Sequence, residues 1–338
     1  MSGAVAHRPP GGAPRLDRFL ADCHPEIARS RWEAWVRAGR VRVDGQVVLK
    51  PGARVRPGAA VETELPDPAP PAQHLAPEAI DLPTLFEDRR LWIVDKPAGM
   101  VVHPGPGHPA GTVLNALLGR LVLPPGEAVA AGGEPDGDGE EDGDEVPEAA
   151  WPGLVHRLDR YTTGCLALAK DAAAHLSLQR QFKERTVEKR YLALVRASRR
   201  LPEAGSVLVD QPIARHRTDR LKMTIAAAGR PAQTRVRVLA RACGLALAEC
   251  ELLTGRTHQI RVHLAHLGAP ILGDPVYGGA TAWQDLDRRA FPCPHPLLHA
   301  WQLALDHPDD ARRLECRAPL PEAYREILAR LGMAVPGG

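Results

Sequence analysis

GLVHRLDRYTTGCLALAKD, residues 153–171, changes character halfway along. Its first part crowds His156, Arg157, Asp159, Arg160, Thr162 and Thr163 into a few positions. From Gly164 it becomes a short apolar run that ends at Lys170 and Asp171. An apolar run of this length is a buried strand. Polar groups packed into the turn before a buried strand are a common way to present reacting side chains on a rigid support. The same pattern also suits a plain turn in which Asp159 accepts backbone N–H groups. Residue types alone leave both readings open.

Outward from this stretch the chain alternates strands with a few helices. LWIVDKP (91–97) is a buried strand that must stop, because Pro97 removes a donor and Gly99 favours a turn. A helix is expected from Gly111 through GTVLNALLGRL, and another over 172–185 behind an Asp171 cap. KRYLALV (189–195) and PLLHAWQLAL (296–305) read as strands, with more strands over about 205–253. Thr257 is placed to cap a helix carrying Ile260, Leu264 and Leu267 on one face, with Gly268 as its stop. Pro321 opens a last helix and Gly332 closes it. Strands outnumber any strand–helix–strand rhythm, so the expected class is α+β with a mixed, largely antiparallel sheet.

A separate small unit is expected over residues 15–66, behind a flexible tail at 1–14. Leu16, Phe19 and Leu20 share a helical face; Ser30 can cap a second helix bearing Trp32, Trp35 and Val36, and Gly39 ends it. Asp44-Gly45 between alternating residues marks a two-residue hairpin. Arg29, Arg31, Arg37, Arg40 and Arg42 lie close together here. Two short helices and a hairpin with an arginine-lined face resemble the S4 RNA-binding domain. That resemblance makes Arg31, Arg37 and Arg40 expected phosphate contacts. Residues 67–83, rich in Pro and Ala, read as a linker to a larger domain over 84–335.

The net charge of +2 hides a division. Residues 124–150 carry ten carboxylates and no Lys or Arg, a composition that cannot bury a core and suggests a disordered insert. The rest holds 43 basic against 31 acidic residues, a net +12, which suits a polyanionic partner such as RNA. The six cysteines form no C-x-x-C pair and imply reduced thiols and a cytoplasmic setting. No apolar run approaches the ~20 residues a membrane helix needs, and residues 1–14 lack the apolar centre of a signal peptide. Cys293, His295 and His299 lack a fourth ligand for zinc, and the glycines at 99, 105, 107 and 111 form neither G-x-G-x-x-G nor a P-loop. No metal and no cofactor are expected, and a monomer is.

HRLDRYTTG (156–164) resembles the H-R-L-D-x-x-T-S-G signature of the RluA family of pseudouridine synthases. KPAGMVVHPGPGHPAGTVLNALL (96–118), KRYLALV (189–195), GRTHQIRVHLAHLGAPILGDPVYGG (255–279) and LHAWQLALDHP (298–308) resemble further family segments in family order. The likeness covers most of residues 84–310 and is nearest to the RluD-like branch, where an S4-like unit often precedes the catalytic domain. It implies isomerisation of uridine to pseudouridine in RNA, with large-subunit (23S) ribosomal RNA as the expected substrate. It also implies Asp159 as the essential carboxylate, Arg261 as its guanidinium partner, and Tyr191 as an aromatic group against the uracil. Arg157 falls at a position associated with flipping the nucleotide out of its stack. Arg256 and Lys189 are expected RNA contacts, although Arg256 could replace Arg261 beside Asp159, and His258 and Gln259 are expected to contact either RNA or the turn. His156 is expected to hold the turn, while His103 and His299 carry no expected role. Asp171 and Asp274 read as a cap and a turn residue. Tyr161 and Cys165 depart from the family pattern without removing a charge.

Two other functions fit the charge and the motifs less well. An RNA-binding protein with a retired site would not need the set Asp159, Tyr191 and Arg261. An RNA glycosidase would need a second reacting carboxylate.

Overall fold

The computed structural model describes residues 4–7, 13–24, 29–64, 76–105, 108–121, 153–219 and 222–334. The described residues divide into two compact units, one built from residues before 75 and one from residue 75 onward.

The smaller unit contains β1 (Ala4–His7), α1 (Leu16–Cys23), α2 (Arg29–Arg37), β2 (Val41–Val43), β3 (Gln46–Val47) and β4 (Val61–Glu64). The apolar faces read from the sequence meet in one core of Leu16, Phe19, Leu20, Trp32, Val36, Val41, Val55 and Val61. Asp44 and Gly45 both take positive φ, +51° and +78°, which gives β2 and β3 the tight reversal that matches strand twist. α2 begins at Arg29, one residue ahead of the expected Ser30 cap. The expected flexible tail is corrected in part: Ala4–His7 pairs antiparallel with Val61–Glu64, because β4 would otherwise present an open row of N–H and C=O groups.

The larger unit contains β5 (Thr84–Glu87), β6 (Leu91–Lys96), α3 (Val113–Leu118), β7 (Thr163–Ala169), α4 (Ala172–Glu184), β8 (Glu188–Arg196), β9 (Ser206–Asp210), β10 (Ile213–Arg215), β11 (Met223–Ile225), β12 (Gln233–Ala242), β13 (Leu245–Leu252), α5 (Gln259–His266), β14 (Ala282–Gln284), β15 (Ala290–Pro292), β16 (Leu298–Asp306), β17 (Arg313–Arg317) and α6 (Glu322–Arg330). A nine-stranded sheet runs in the order β5-β6-β7-β16-β8-β13-β12-β9, with β17 sharing an edge of β16. Among the described residues only the β7–β16 pairing is parallel, so the fold is α+β with a mixed, largely antiparallel sheet as expected. Both faces are covered. Leu166 and Leu168 of β7 enter one core, and Cys165, Ala167 and Ala169 enter another. That double burial explains why β7 reads as a continuous apolar run rather than an alternating one.

Two boundaries differ from expectation. Residues 76–83 of the expected linker belong to the larger unit, because Leu82 is buried in its core, Glu78 N–H donates to the Asn115 carbonyl, and Asn115 Nδ2 donates to the Ala76 carbonyl. Ile80 and Leu82 are the apolar residues that the Pro/Ala composition obscured. α5 starts at Gln259, capped by His258 in a left-handed conformation, rather than by Thr257. Asp171 does cap α4, accepting from Ala174 N–H at 2.9 Å. The acidic stretch 124–150 lies outside the described residues.

Gly164 allows β7 and β16 to approach. It takes φ +109°, and a β-carbon there would collide with the Ala300 carbonyl. Gly164→Ala is expected to cost about 2–4 kcal/mol of stability, measured by urea unfolding, because strain and a steric clash coincide. A cost near zero would show that the two strands separate freely.

Candidate active site

The turn ahead of β7 is fixed from three sides. Thr162 N–H donates to the Asp159 carbonyl at 3.0 Å, closing the turn itself. Thr163 Oγ1 meets His299 Nδ1 at 2.7 Å, while His299 Nε2 lies 3.2 Å from the Ala318 carbonyl. Burial pulls the pKa of His299 down to about 4 against the raising pull of that carbonyl, so the ring is neutral and structural. His156 Nε2 accepts from Ala167 N–H at 2.9 Å, and its ring stacks on Phe182, which bears out its expected holding role.

The third support is the loop after β6. Lys96 is fully buried, and its Nζ lies 2.8–3.0 Å from the carbonyls of Pro97, Met100 and Arg160. Gly99 N–H also donates to the Arg160 carbonyl, at 2.9 Å. Burial draws the Lys96 pKa down to about 7, opposed by the charges of Asp159 and Asp95. Three carbonyl acceptors fit the three donors of an ammonium, so the protonated form is the one this nest is built to hold. Asp159 thus stands on a turn tied to β6, β7 and β16.

Arg261 reaches Asp159 from α5. Its Nη1 lies 3.0 Å from Asp159 Oδ2, and on its other edge Nε and Nη2 grip Asp274 Oδ2 and Oδ1 at 2.7 and 3.0 Å. The Arg261 and Asp159 side chains are 9% and 25% exposed, and Asp274 is fully buried. Burial by itself would lower the pKa of Arg261, but the hydrogen bonds and charges of Asp274 and Asp159 raise it above its ordinary value. The guanidinium therefore stays charged beside Asp159. Asp274 Oδ1 also accepts from Val276 and Tyr277 N–H, at 3.0 and 3.3 Å. It is the turn residue expected from the sequence and, in addition, the second anchor of Arg261, a role that a partner 13 positions away gave no periodic signal to find. Tyr277, a further residue not singled out, lies under the Arg261 guanidinium with 5.0 Å to its ring centroid.

These groups open onto a cleft lined by Arg157, Asp159, Tyr191, Arg256, His258 and Arg261, among others. The structure so brings together the three expected catalytic residues with Arg157, exposed at the cleft edge. Arg256 lines the same cleft but directs Nε to the Pro231 carbonyl at 3.2 Å, which leaves Arg261 as the partner of Asp159. Of the two readings left open for Gln259, its hydrogen bonds fit the structural one, although it also lines the cleft. It is buried, with Nε2 donating to the Gln233 carbonyl and Thr234 Oγ1 and Oε1 accepting from Thr254 Oγ1, at 2.8–3.0 Å. It ties β12 to the segment before α5, alongside the His263 bond to Thr234 Oγ1. Lys189 is not among the cleft residues; its ammonium lies 5.4 Å from the Phe182 ring centroid. Arg37 pairs with Glu33 at 3.0 Å and Arg40 lies over Trp35, both exposed on the smaller unit. Arg31 belongs to α2, but its side chain lies outside the described residues.

Among the described residues no group of three or more His, Cys, Asp or Glu side chains could hold a metal ion. No helix among them is long and apolar enough to cross a membrane.

Asp274→Asn is expected to cost about 3–5 kcal/mol, since it leaves a buried guanidinium with half its compensation. Chemical unfolding measures this loss; a change under about 1 kcal/mol would mean that Arg261 finds another anchor.

The RNA pseudouridylate synthase family profile matches residues 90–266, and the S4 domain profile matches residues 14–61. An uncharacterized RNA pseudouridine synthase of Chloroflexus aurantiacus is 42% identical over 319 residues, 94% of this chain and 90% of that protein. The ribosomal large subunit pseudouridine synthase D of Pseudomonas aeruginosa is 39% identical over 325 residues, covering 95% and 92% of the two chains. Among solved structures, human RNA pseudouridylate synthase domain containing 4 superposes with a TM-score of 0.52 at 27% identity, over 75% of this chain and 95% of that one. With an S4 domain in front and the conserved-length match across nearly the whole chain, this protein belongs to the RNA pseudouridylate synthase family and is an RNA pseudouridine synthase.

Proposed function

We propose that the chain converts uridine to pseudouridine at particular positions of large-subunit ribosomal RNA, with Asp159 as the reacting carboxylate. The observation that carries the site is the Asp159–Arg261–Asp274 chain at the head of the cleft. It orients one carboxylate at the cleft, where the Asp159 side chain stays 25% exposed. The substrate follows from the names of relatives such as the Pseudomonas aeruginosa protein, which align over nearly all of this chain.

The reaction breaks the N1–C1′ bond, turns the base and joins C5 to C1′. The C5 proton leaves and N1 gains one, so nothing is oxidised and the residues of the cleft suffice. An ionised carboxylate is required whether it adds to C1′ or C6 or removes a ribose proton. Tyr191, on β8 within the cleft lining, offers an aromatic face to the uracil and a hydroxyl for proton transfer at C5. The target must leave its helix before its glycosidic bond can be reached, and Arg157 at the cleft edge is suited to fill the vacated space. Arg256, with Lys189 farther off, suits phosphate.

The domain reading that accompanies this is an RNA-binding unit over 15–66 and a catalytic domain over 84–335, with 76–83 attached to the latter. The smaller unit would add affinity through Arg31, Arg37 and Arg40 without reading sequence. A monomer working in the cytoplasm, where ribosomal RNA meets reduced thiols, completes the proposal.

Wild-type protein is expected to form pseudouridine at one or a few positions of transcribed 23S ribosomal RNA, mapped by carbodiimide adducts. Asp159→Ala should form none while still binding the RNA. Modification by both proteins would remove Asp159 from the chemistry, and modification by neither would point to a different RNA. RNA affinity should fall steeply and linearly on a log–log plot against salt, because phosphate contacts release counterions; a flat slope would contradict phosphate binding.

A further inference from the structure

Asp159 is gripped unevenly. Arg261 Nη1 and His258 Nε2 both face the same oxygen, Oδ2, at 3.0 and 3.8 Å. Among the described residues no hydrogen bond reaches Oδ1.

His258 is held in an unusual way. It caps α5 with φ 58° and ψ 18°, the left-handed region where glycine or asparagine is the low-strain choice, and its side chain makes no capping bond. What the imidazole adds is a link. Its Nδ1 lies 2.8 Å from Tyr277 Oη, and that oxygen accepts from Met223 N–H at 2.8 Å. Met223 N–H takes one lone pair of that oxygen, and we assign the tyrosine proton to the bond with His258 Nδ1. The ring proton of the neutral imidazole then sits on Nε2, facing Asp159. Burial lowers the pKa of His258, as do the charges of Arg261 and Arg157, against the raising pull of Asp159 and Asp274, which keeps this neutral form.

Tyr277 is placed by the same loop that anchors Arg261, since its N–H donates to Asp274 Oδ1. Asp274 therefore sets both groups that converge on Oδ2. The link also reaches a cationic edge: Met223 begins β11, whose hairpin with β10 carries Arg215 and Lys222.

We propose that His258 is a positioning residue for the isomerisation: its Nε2–H closes onto Asp159 Oδ2 when RNA enters the cleft, so that Oδ2 is the held oxygen and Oδ1 the one that meets the uridine. This rests on Asp159 being the reacting carboxylate. The gap of 3.8 Å exceeds the usual N–H···O separation of about 3.0 Å by a margin that a small ring rotation covers. Hydrogen bonds of this kind are commonly long in the free enzyme and shorten with substrate in place. Two donors on one oxygen draw charge toward it and fix the carboxylate plane, leaving the other oxygen aimed into the cleft. The β10–β11 hairpin, through Met223 and Tyr277, sets the ring from which the second donor comes.

The test compares single-turnover pseudouridine formation on saturating transcribed 23S ribosomal RNA by wild type, Asp159→Ala, His258→Asn, His258→Gln and Tyr277→Phe. RNA affinity and the urea midpoint are measured alongside. Asparagine tolerates the left-handed backbone, so His258→Asn should fold. His258→Asn and Tyr277→Phe are each expected to slow the single-turnover step roughly tenfold or more, with RNA affinity unchanged. His258→Gln, whose amide nitrogen extends toward the Nε2 position, should recover part of the rate. The proposal is overturned if His258→Asn stays within about twofold of wild type, if its loss lies in RNA affinity alone, or if glutamine restores nothing over asparagine. An active Asp159→Ala would refute the assignment of Asp159 itself; an inactive one beside a wild-type-like His258→Asn refutes only the positioning role.

Discussion

A guanidinium shared between two carboxylates is the constraint around which the larger unit is arranged. Arg261 is nearly buried, and a buried charge is tolerated only when its donors are met. Asp274 meets two of them from a position with no solvent contact, and Asp159 meets a third from the cleft. The arrangement is asymmetric in a useful way. The buried carboxylate immobilises the arginine, and the half-buried one is then oriented by it while remaining accessible. The Arg261 guanidinium, 3.0 Å from Asp159 Oδ2, fixes where that oxygen lies.

That geometry depends on how the backbone brings α5 to the turn before β7. The turn is not free to follow the arginine. The Lys96 ammonium and Gly99 N–H fasten the Arg160 carbonyl, and Thr163 is tied to His299. Gly164 lets β16 pass close enough for the single parallel pairing of the sheet. Several polar residues of the motif-bearing segments are thus spent on support. His156, Gln259 and His299 are buried, with hydrogen bonds to backbone or to neighbouring side chains. They hold the loops so that few groups need to be exposed: Asp159 and Arg157 at the cleft, with Tyr191 largely buried along one wall.

Much of this was legible beforehand. The apolar run after Thr163, the Asp171 cap, the Asp44-Gly45 reversal and the α+β class each rest on short-range patterning, and the structure contains them. The pairing of Asp159 with Arg261 was legible only through resemblance, since the two lie 102 positions apart. What failed did so for identifiable reasons. The Pro/Ala composition of 67–83 concealed Ile80 and Leu82, which pack against the larger unit. The first residues looked like a tail because a four-residue strand has no periodicity to display until β4 supplies its partner.

By itself the sequence determined the local elements and the two-unit division around a Pro-rich stretch, because capping, turn chemistry and burial patterns act over a few residues. The tertiary structure alone decided which polar residues line the cleft and which are buried as supports. Asp274 and Gln259 look like ordinary surface or turn residues until long-range packing buries them beside a charge or an open carbonyl. The left-handed His258, its bond to Tyr277 and the convergence of two donors on one oxygen of Asp159 likewise arise only when α5, the 271–279 loop and the β10–β11 hairpin are brought together. Distance in space, not spacing along the chain, fixes electrostatics and hydrogen bonding, and only the folded chain sets those distances.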